Sequence, residues 1–90
     1  MQIRVIGDAR DVIGFGLAGV AGTECRTREE IVAALDDIGH DPSVAIVLIS
    51  PQAAALGVDV IARLRDSVRL PIAVVLPSDQ EDTMHGKHAA

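Results

Sequence analysis

Apolar residues fall into short runs separated by polar or glycine-rich stretches, and their spacing predicts alternating strands and helices. Ile3, Val5 and Ile6 mark a first strand over residues 3–6, after which Gly7-Asp8 turns the chain. Residues 12–17 read as a short helix in which Val12, Phe15 and Leu17 are apolar while Gly14 and Gly16 lower the helix propensity. Asp8 or Asp11 is its candidate N-cap, because a short carboxylate accepts hydrogen bonds from the free N–H groups of a first turn. Residues 20–25 are weakly patterned and predict an edge strand, with Glu24 discouraging stray pairing. Thr27 and Glu30 form a capping box. Ile31, Val32, Leu35 and Ile38 then recur at helical spacing, and Gly39 is the expected helix end.

Residues 44–49, VAIVLI, are apolar without alternation, the pattern of a parallel strand covered by helices on both faces. Ser50-Pro51 reads as N-cap and first helical residue. Ala54, Val58, Ile61 and Leu64 carry the stripe of one third helix that reaches Arg65, with Gly57 inside it costing roughly 1 kcal/mol relative to alanine. A fourth strand, residues 72–76, lies between Pro71 and Pro77. The resulting β-α-β-α-β-α-β order favours parallel pairing through right-handed crossovers. The expected architecture is one α/β domain over residues 1–78: a four-stranded parallel sheet of order 2-1-3-4, helices on both faces, and receiver-like topology. Ile46 or Val47, together with Ile49, should occupy its centre. Residues 79–90 are polar, show no apolar period, and read as a flexible tail.

The chain has 90 residues, the size of a single domain. Phe15 is its only aromatic residue, so the core must be built from Ile, Val, Leu and Ala. A net charge of -5 argues against nucleic-acid binding and against a polybasic membrane anchor, while leaving room for a basic protein partner. Cys25 stands alone, which excludes an internal disulfide framework and fits a reducing compartment. No apolar run is long enough to predict a membrane span.

Candidate chemistry is sparse. Gly14, Gly16 and Gly19 match the spacing of a dinucleotide fingerprint, but that fingerprint opens at a strand end, whereas this triplet arrives well after Gly7. The glycines therefore read as packing or turn positions. Asp8 stands where a phosphoacceptor domain places a carboxylate, yet Ser50 follows the third strand, Pro77-Ser78 follows the fourth, and Lys87 is the only lysine. One carboxylate cannot both hold magnesium and accept phosphate. His85 and His88 flank Gly86-Lys87 in the tail and His40 occupies another loop, so no metal set is predicted. Ser50 reads as a cap and Cys25 as a structural thiol. Arg63, Arg65 and Arg69 form a basic cluster, read either as a solvated helix end or as a contact for an acidic helix. No catalytic residue or cofactor is predicted.

Ile6-Gly7-Asp8, followed by Gly14-Phe15 and Leu17-Ala18-Gly19-Val20, resembles the central-stalk F subunit of vacuolar/archaeal-type rotary ATPases. In that family a Gly-Asp turn ends the first strand and a GF-x-LAG segment follows. The VAIVLI run, Leu70-Pro71-Ile72 and Pro77-Ser78 are similar too, so the resemblance covers nearly all of residues 1–78. It implies a non-catalytic domain bound to the long coiled-coil D subunit of the rotor, within the shaft that links the ATP-handling head to ion translocation. Further contacts with the catalytic head and the membrane-proximal stalk subunit, and a cytoplasmic place peripheral to the membrane, come with that role. The family's C-terminal helix projects toward stalk or head; the short polar segment 79–90 departs from this pattern. Candidate partner contacts are Gly14, Phe15, Gly16 and Leu17 for close apolar approach, and Arg63, Arg65 and Arg69 for acidic side chains. The residues alone leave open a degenerate receiver-like or nucleotide-binding signalling domain, or an enzyme subunit that contributes surface without chemistry.

Overall fold

Four parallel strands form the sheet in a computed structural model that describes residues 1–66 and 71–77. In chain order the elements are β1 (Gln2–Gly7), α1 (Ala9–Leu17), β2 (Ala21–Glu24), α2 (Arg28–Gly39), β3 (Val44–Ile49), α3 (Pro51–Leu56), α4 (Val58–Asp66) and β4 (Ile72–Val75). The strand order is β2-β1-β3-β4 and every pairing is parallel, as the sequence pattern predicts. The expected tail 79–90, with His85 and His88, lies outside the described residues, as does Arg69.

Register decides which side chains share a face. Val5, Leu48 and Val74 occupy one rung, and Ile6, Ile49 and Val75 the next. Because side chains alternate along a strand, Ile6, Val47, Ile49, Ala73 and Val75 point to one side of the sheet. There they meet Ile31, Ala34 and Ile38 of α2, Ala53 of α3 and Ile61 of α4 in one buried cluster. Val47 and Ile49 are fully buried at its centre, as expected. Ile46 faces the other way and is only half-buried.

The opposite face carries Ile3, Val5, Ile46, Leu48, Ile72 and Val74. Its helical cover is α1, which lies over β1 and β2 and brings Val12 against Gly22 and Val5. Among the described residues no helix lies over the half of this face formed by β3 and β4, where Ile72 is 56% and Val74 42% exposed. Among those residues the expectation that VAIVLI is covered on both sides therefore holds for Val44, Val47 and Ile49 and fails for Ile46 and Leu48. The reason is geometric. One helix is about 10 Å wide and spans about two strands spaced 4.8 Å apart.

Local signals set the helix ends. α1 begins earlier than the apolar pattern suggests, with Asp8 in extended conformation at the N-cap and its carbonyl accepting the Val12 N–H at 3.1 Å. The Asp8 side chain makes no capping bond. In α2, Thr27 Oγ1 accepts the Glu30 N–H at 3.1 Å, but the Glu30 carboxylate accepts the Arg26 N–H at 2.8 Å, one residue upstream of an ordinary capping box. This helix includes Gly39 and is capped by His40, whose N–H donates to the carbonyls of Asp36 and Asp37.

The single third helix expected over residues 51–65 is two helices. The chain bends at Gly57, which caps α3 with φ -130 and ψ 43 and is buried. A Cβ there would lie 3.0 Å from Cγ2 of Ile31. Gly57 thus marks the close approach of α2, a tertiary cause that helical periodicity does not register.

Candidate docking surfaces

The carboxyl ends of β1 and β3 meet at the switch point of the sheet, where doubly wound folds commonly bind ligands. Ser50 is fully buried there; its Oγ accepts N–H bonds from Ala53 at 3.1 Å and Asp8 at 3.4 Å. It caps α3, as expected, and also ties the end of β3 to the turn after β1. Asp8 Oδ1 is enclosed and lacks a hydrogen-bond partner. Among the described residues no group of three His, Cys, Asp or Glu side chains is placed to hold a metal ion. Cys25 is 3% exposed, and burial, followed by the charges of Glu30 and Glu24, pushes its thiol upward, which suits a structural rather than a nucleophilic role.

Two of the fingerprint-like glycines, Gly14 and Gly16, sit inside α1, away from the end of β1. A Cβ at Gly14 or Gly16 would meet nothing within 4 Å, so neither glycine serves close packing within the described chain, contrary to the expectation. Gly19 has φ +88 and makes the turn into β2, where a side chain would be strained. The outer side of α1 carries Arg10 in its first turn and then two large apolar residues: Leu17 is 88% exposed and Ile13, one turn earlier, 64%. Phe15 is half-buried on the same helix. A surface helix ordinarily turns its polar side outward, and Ile13 and Leu17 depart from that pattern. Ile13 is absent from the candidates that the sequence suggests; its i, i+4 spacing to Leu17 is the signal that could have found it.

Arg63 and Arg65 lie on α4 and are exposed. Arg63 Nη2 is 3.4 Å from Asp59 Oδ2, and Arg28 of α2 reaches the same oxygen at 2.7 Å. The hydrogen bond from Arg28 is the main reason the Asp59 carboxyl is held down to about 2. α4 packs on the sheet face opposite α1 and runs along β4, whereas α1 runs along β1 and β2. Gly14, Phe15, Gly16 and Leu17 are therefore brought together on one helix, while Arg63 and Arg65 belong to a separate surface. A further groove of about 400 Å³ is lined by Arg4, Glu24, Glu30, Asp37 and Asp41, so its charge favours cations. Arg4 approaches Asp41 at 3.6 Å.

Fold and surfaces together define a small doubly wound parallel α/β domain with apolar area on one side that no described helix covers. A family model described as ATP synthase (F/14-kDa) subunit matches residues 3–90. The chain is 34% identical over 89 residues to the F subunit of the A-type ATP synthase of Methanothrix thermoacetophila, covering 97% of this chain and 89% of that protein. It is 33% identical over 55 residues to the F subunit of the A-type ATP synthase of Methanocaldococcus jannaschii, covering 60% of this chain and 56% of the relative. The crystal structure of the V-type ATP synthase F subunit from Archaeoglobus fulgidus superposes with a TM-score of 0.70 at 30% identity, covering 84% of this chain and 96% of that one. The chain belongs to the ATP synthase (F/14-kDa) subunit family. It is accordingly one of the subunits of an A/V-type ATP synthase complex, and its partners are other subunits of that complex. No helix among the described residues is long and apolar enough to cross a membrane.

Proposed function

We propose that this chain is a non-catalytic central-stalk component that docks the long helical D subunit of the rotor and helps couple ATP hydrolysis or synthesis to ion translocation. Family membership across residues 3–90 is the observation that carries the reading. The surface of α1 supports it. Bare glycines at 14 and 16 permit close approach of another backbone, and Leu17 supplies apolar contact beside them. Arg63 and Arg65, joined in the sequence by Arg69, face away from α1 and suit an acidic surface on a second partner such as the catalytic head. Exposed pairs of that kind add about 0–1 kcal/mol each and chiefly orient the contact. The protein works at the cytoplasmic side, peripheral to the membrane.

Reconstitution tests the proposal. The domain and the coiled-coil rotor subunit should co-elute on size exclusion, and omitting the domain should lower ATP-driven ion pumping more than nucleotide binding by the head. No complex together with unchanged pumping would refute it.

A further inference from the structure

We propose that the corner joining α2 to β3 is a proton-operated latch, closed when His40 is charged and loosened when His40 is neutral. Anions are favoured at a helix N-terminus and cations at its C-terminus, where unpaired carbonyls gather. The last turn of α2 reverses this: it holds Asp36 and Asp37 and no basic residue. His40, the C-cap residue, supplies a cation there when it is protonated. Its backbone N–H donates to the carbonyls of Asp36 and Asp37, both at 3.2 Å. Its Nδ1 lies 2.8 Å from the Asp36 carbonyl oxygen and 3.8 Å from Asp36 Oδ1. A carbonyl only accepts, so Nδ1 carries the hydrogen of the neutral ring. Protonation then adds a positive charge beside the helix end and the Asp36 carboxylate.

The corner is short and tied to the sheet. The Asp41 N–H donates to the Ile38 carbonyl at 3.1 Å, and the Asp41 carboxylate accepts the Ser43 N–H at 3.0 Å and the Ser43 hydroxyl at 2.6 Å. The Ser43 carbonyl accepts the Gln2 N–H of β1 at 2.7 Å, and Arg4 of β1 stands 3.6 Å from Asp41. Among the described residues the charged groups at this corner are therefore Asp36 and Asp37 on α2, Asp41 in the loop and Arg4 on β1, a negative surplus that favours the charged ring. The hydrogen bond to the Asp36 backbone, then the charges of Asp36 and Asp37, push the imidazole above its ordinary 6.5. A group raised in this way stabilises the folded corner fully below 6.5, and the contribution is lost as pH rises through the raised value. Asp37, Ile38 and Asp41 also line the groove beside Arg4, so the latch governs the order of one wall of that groove.

The test uses the full chain, followed by NMR from about pH 5 to about pH 8. Amide exchange, normalised at each pH to that of an unstructured chain, should show positions 40 and 41 losing protection about two- to fivefold as His40 deprotonates. Ile31, at the other end of α2, should keep its protection. His40→Lys should hold the protection of positions 40 and 41 across the range, and His40→Gln should lower it at every pH. His85 and His88 titrate in the same range and stay in both variants, so a pH dependence at positions 40 and 41 that survives in His40→Gln overturns the latch. Constant protection in the unaltered chain, or a His40 ring that titrates at or below 6.5, overturns it as well. Should a variant fail to fold, the titration of the unaltered chain decides.

Discussion

Replacing Gly7 with alanine probes how β1 and β3 are joined at their carboxyl ends. Gly7 is buried, and a Cβ on it would fall within 3.0 Å of both Cβ and Oγ of Ser50. Neither atom is the free end of a flexible side chain. The Ser50 N–H donates to the Ile6 carbonyl at 3.0 Å, and its Oγ holds the Ala53 N–H at 3.1 Å. Overpacking of this kind costs about 1–3 kcal/mol, and a displaced cap adds about 1 kcal/mol, for a loss of roughly 2–4 kcal/mol. A domain of this length has about 5–13 kcal/mol to lose, and each kcal/mol lowers Tm by about 4–8 °C. Thermal melts followed by circular dichroism should therefore show a drop of roughly 8–32 °C. Ser50→Gly removes both clashing atoms, and glycine replaces serine at an N-cap at a cost of only a few tenths of a kcal/mol. Gly7→Ala combined with Ser50→Gly should then be more stable than Gly7→Ala alone, with a coupling energy of about 1 kcal/mol or more. A Gly7→Ala melt within about 2 °C of the parent, or strictly additive effects in the pair, would refute the argument.

Three further outcomes follow from the same structure. Ile49→Ala empties a fully buried position and should cost about 2–5 kcal/mol in denaturant melts; a change below about 1 kcal/mol would contradict its central placement. Gly14→Ala adds a methyl group where nothing lies within 4 Å, so it should raise stability by about 0.5–1 kcal/mol while weakening rotor binding if α1 is approached closely, and a fall in Tm would show instead that the site is packed. Asp59 is depressed from 3.8 to about 2 by Arg28, so the bond joining α4 to α2 contributes stability that is fully present above 3.8 and lost as pH falls through about 2. Asp59→Asn should flatten the acid dependence of Tm in that window; an unchanged slope would show that the pairing is not formed in solution.

Much of this protein is legible from local pattern alone. VAIVLI and IAVVL announce strands because their apolar runs are too short for helices and are bounded by Ser-Pro and Pro. Thr27 and Ser50 announce helix starts because the capping bond is made within a few residues, and both hydroxyls make it. Connection lengths then leave parallel pairing as the natural solution, and the expected strand order is the one found. The Gly7-Asp8 turn and residues 14–20 also carry enough family character to indicate membership.

What the sequence could not decide depends on neighbours distant in the chain. Gly57 reads as a tolerated helical glycine until Ile31 is placed 3.0 Å from its missing Cβ, and then it becomes a bend between two helices. Gly14 and Gly16 read as packing glycines, but α1 turns them outward to open space. Arg63 and Arg65 cannot be known to face away from Leu17 until the crossovers put α4 and α1 on opposite sides of the sheet. An apolar strand run likewise records that both faces avoid water without saying what supplies the cover. Among the described residues α2, α3 and α4 close one face, while α1, one helix wide, does not reach Ile72 and Val74 on the other. Local periodicity reports which way a side chain points along its own strand; only the packed layers determine what it meets there.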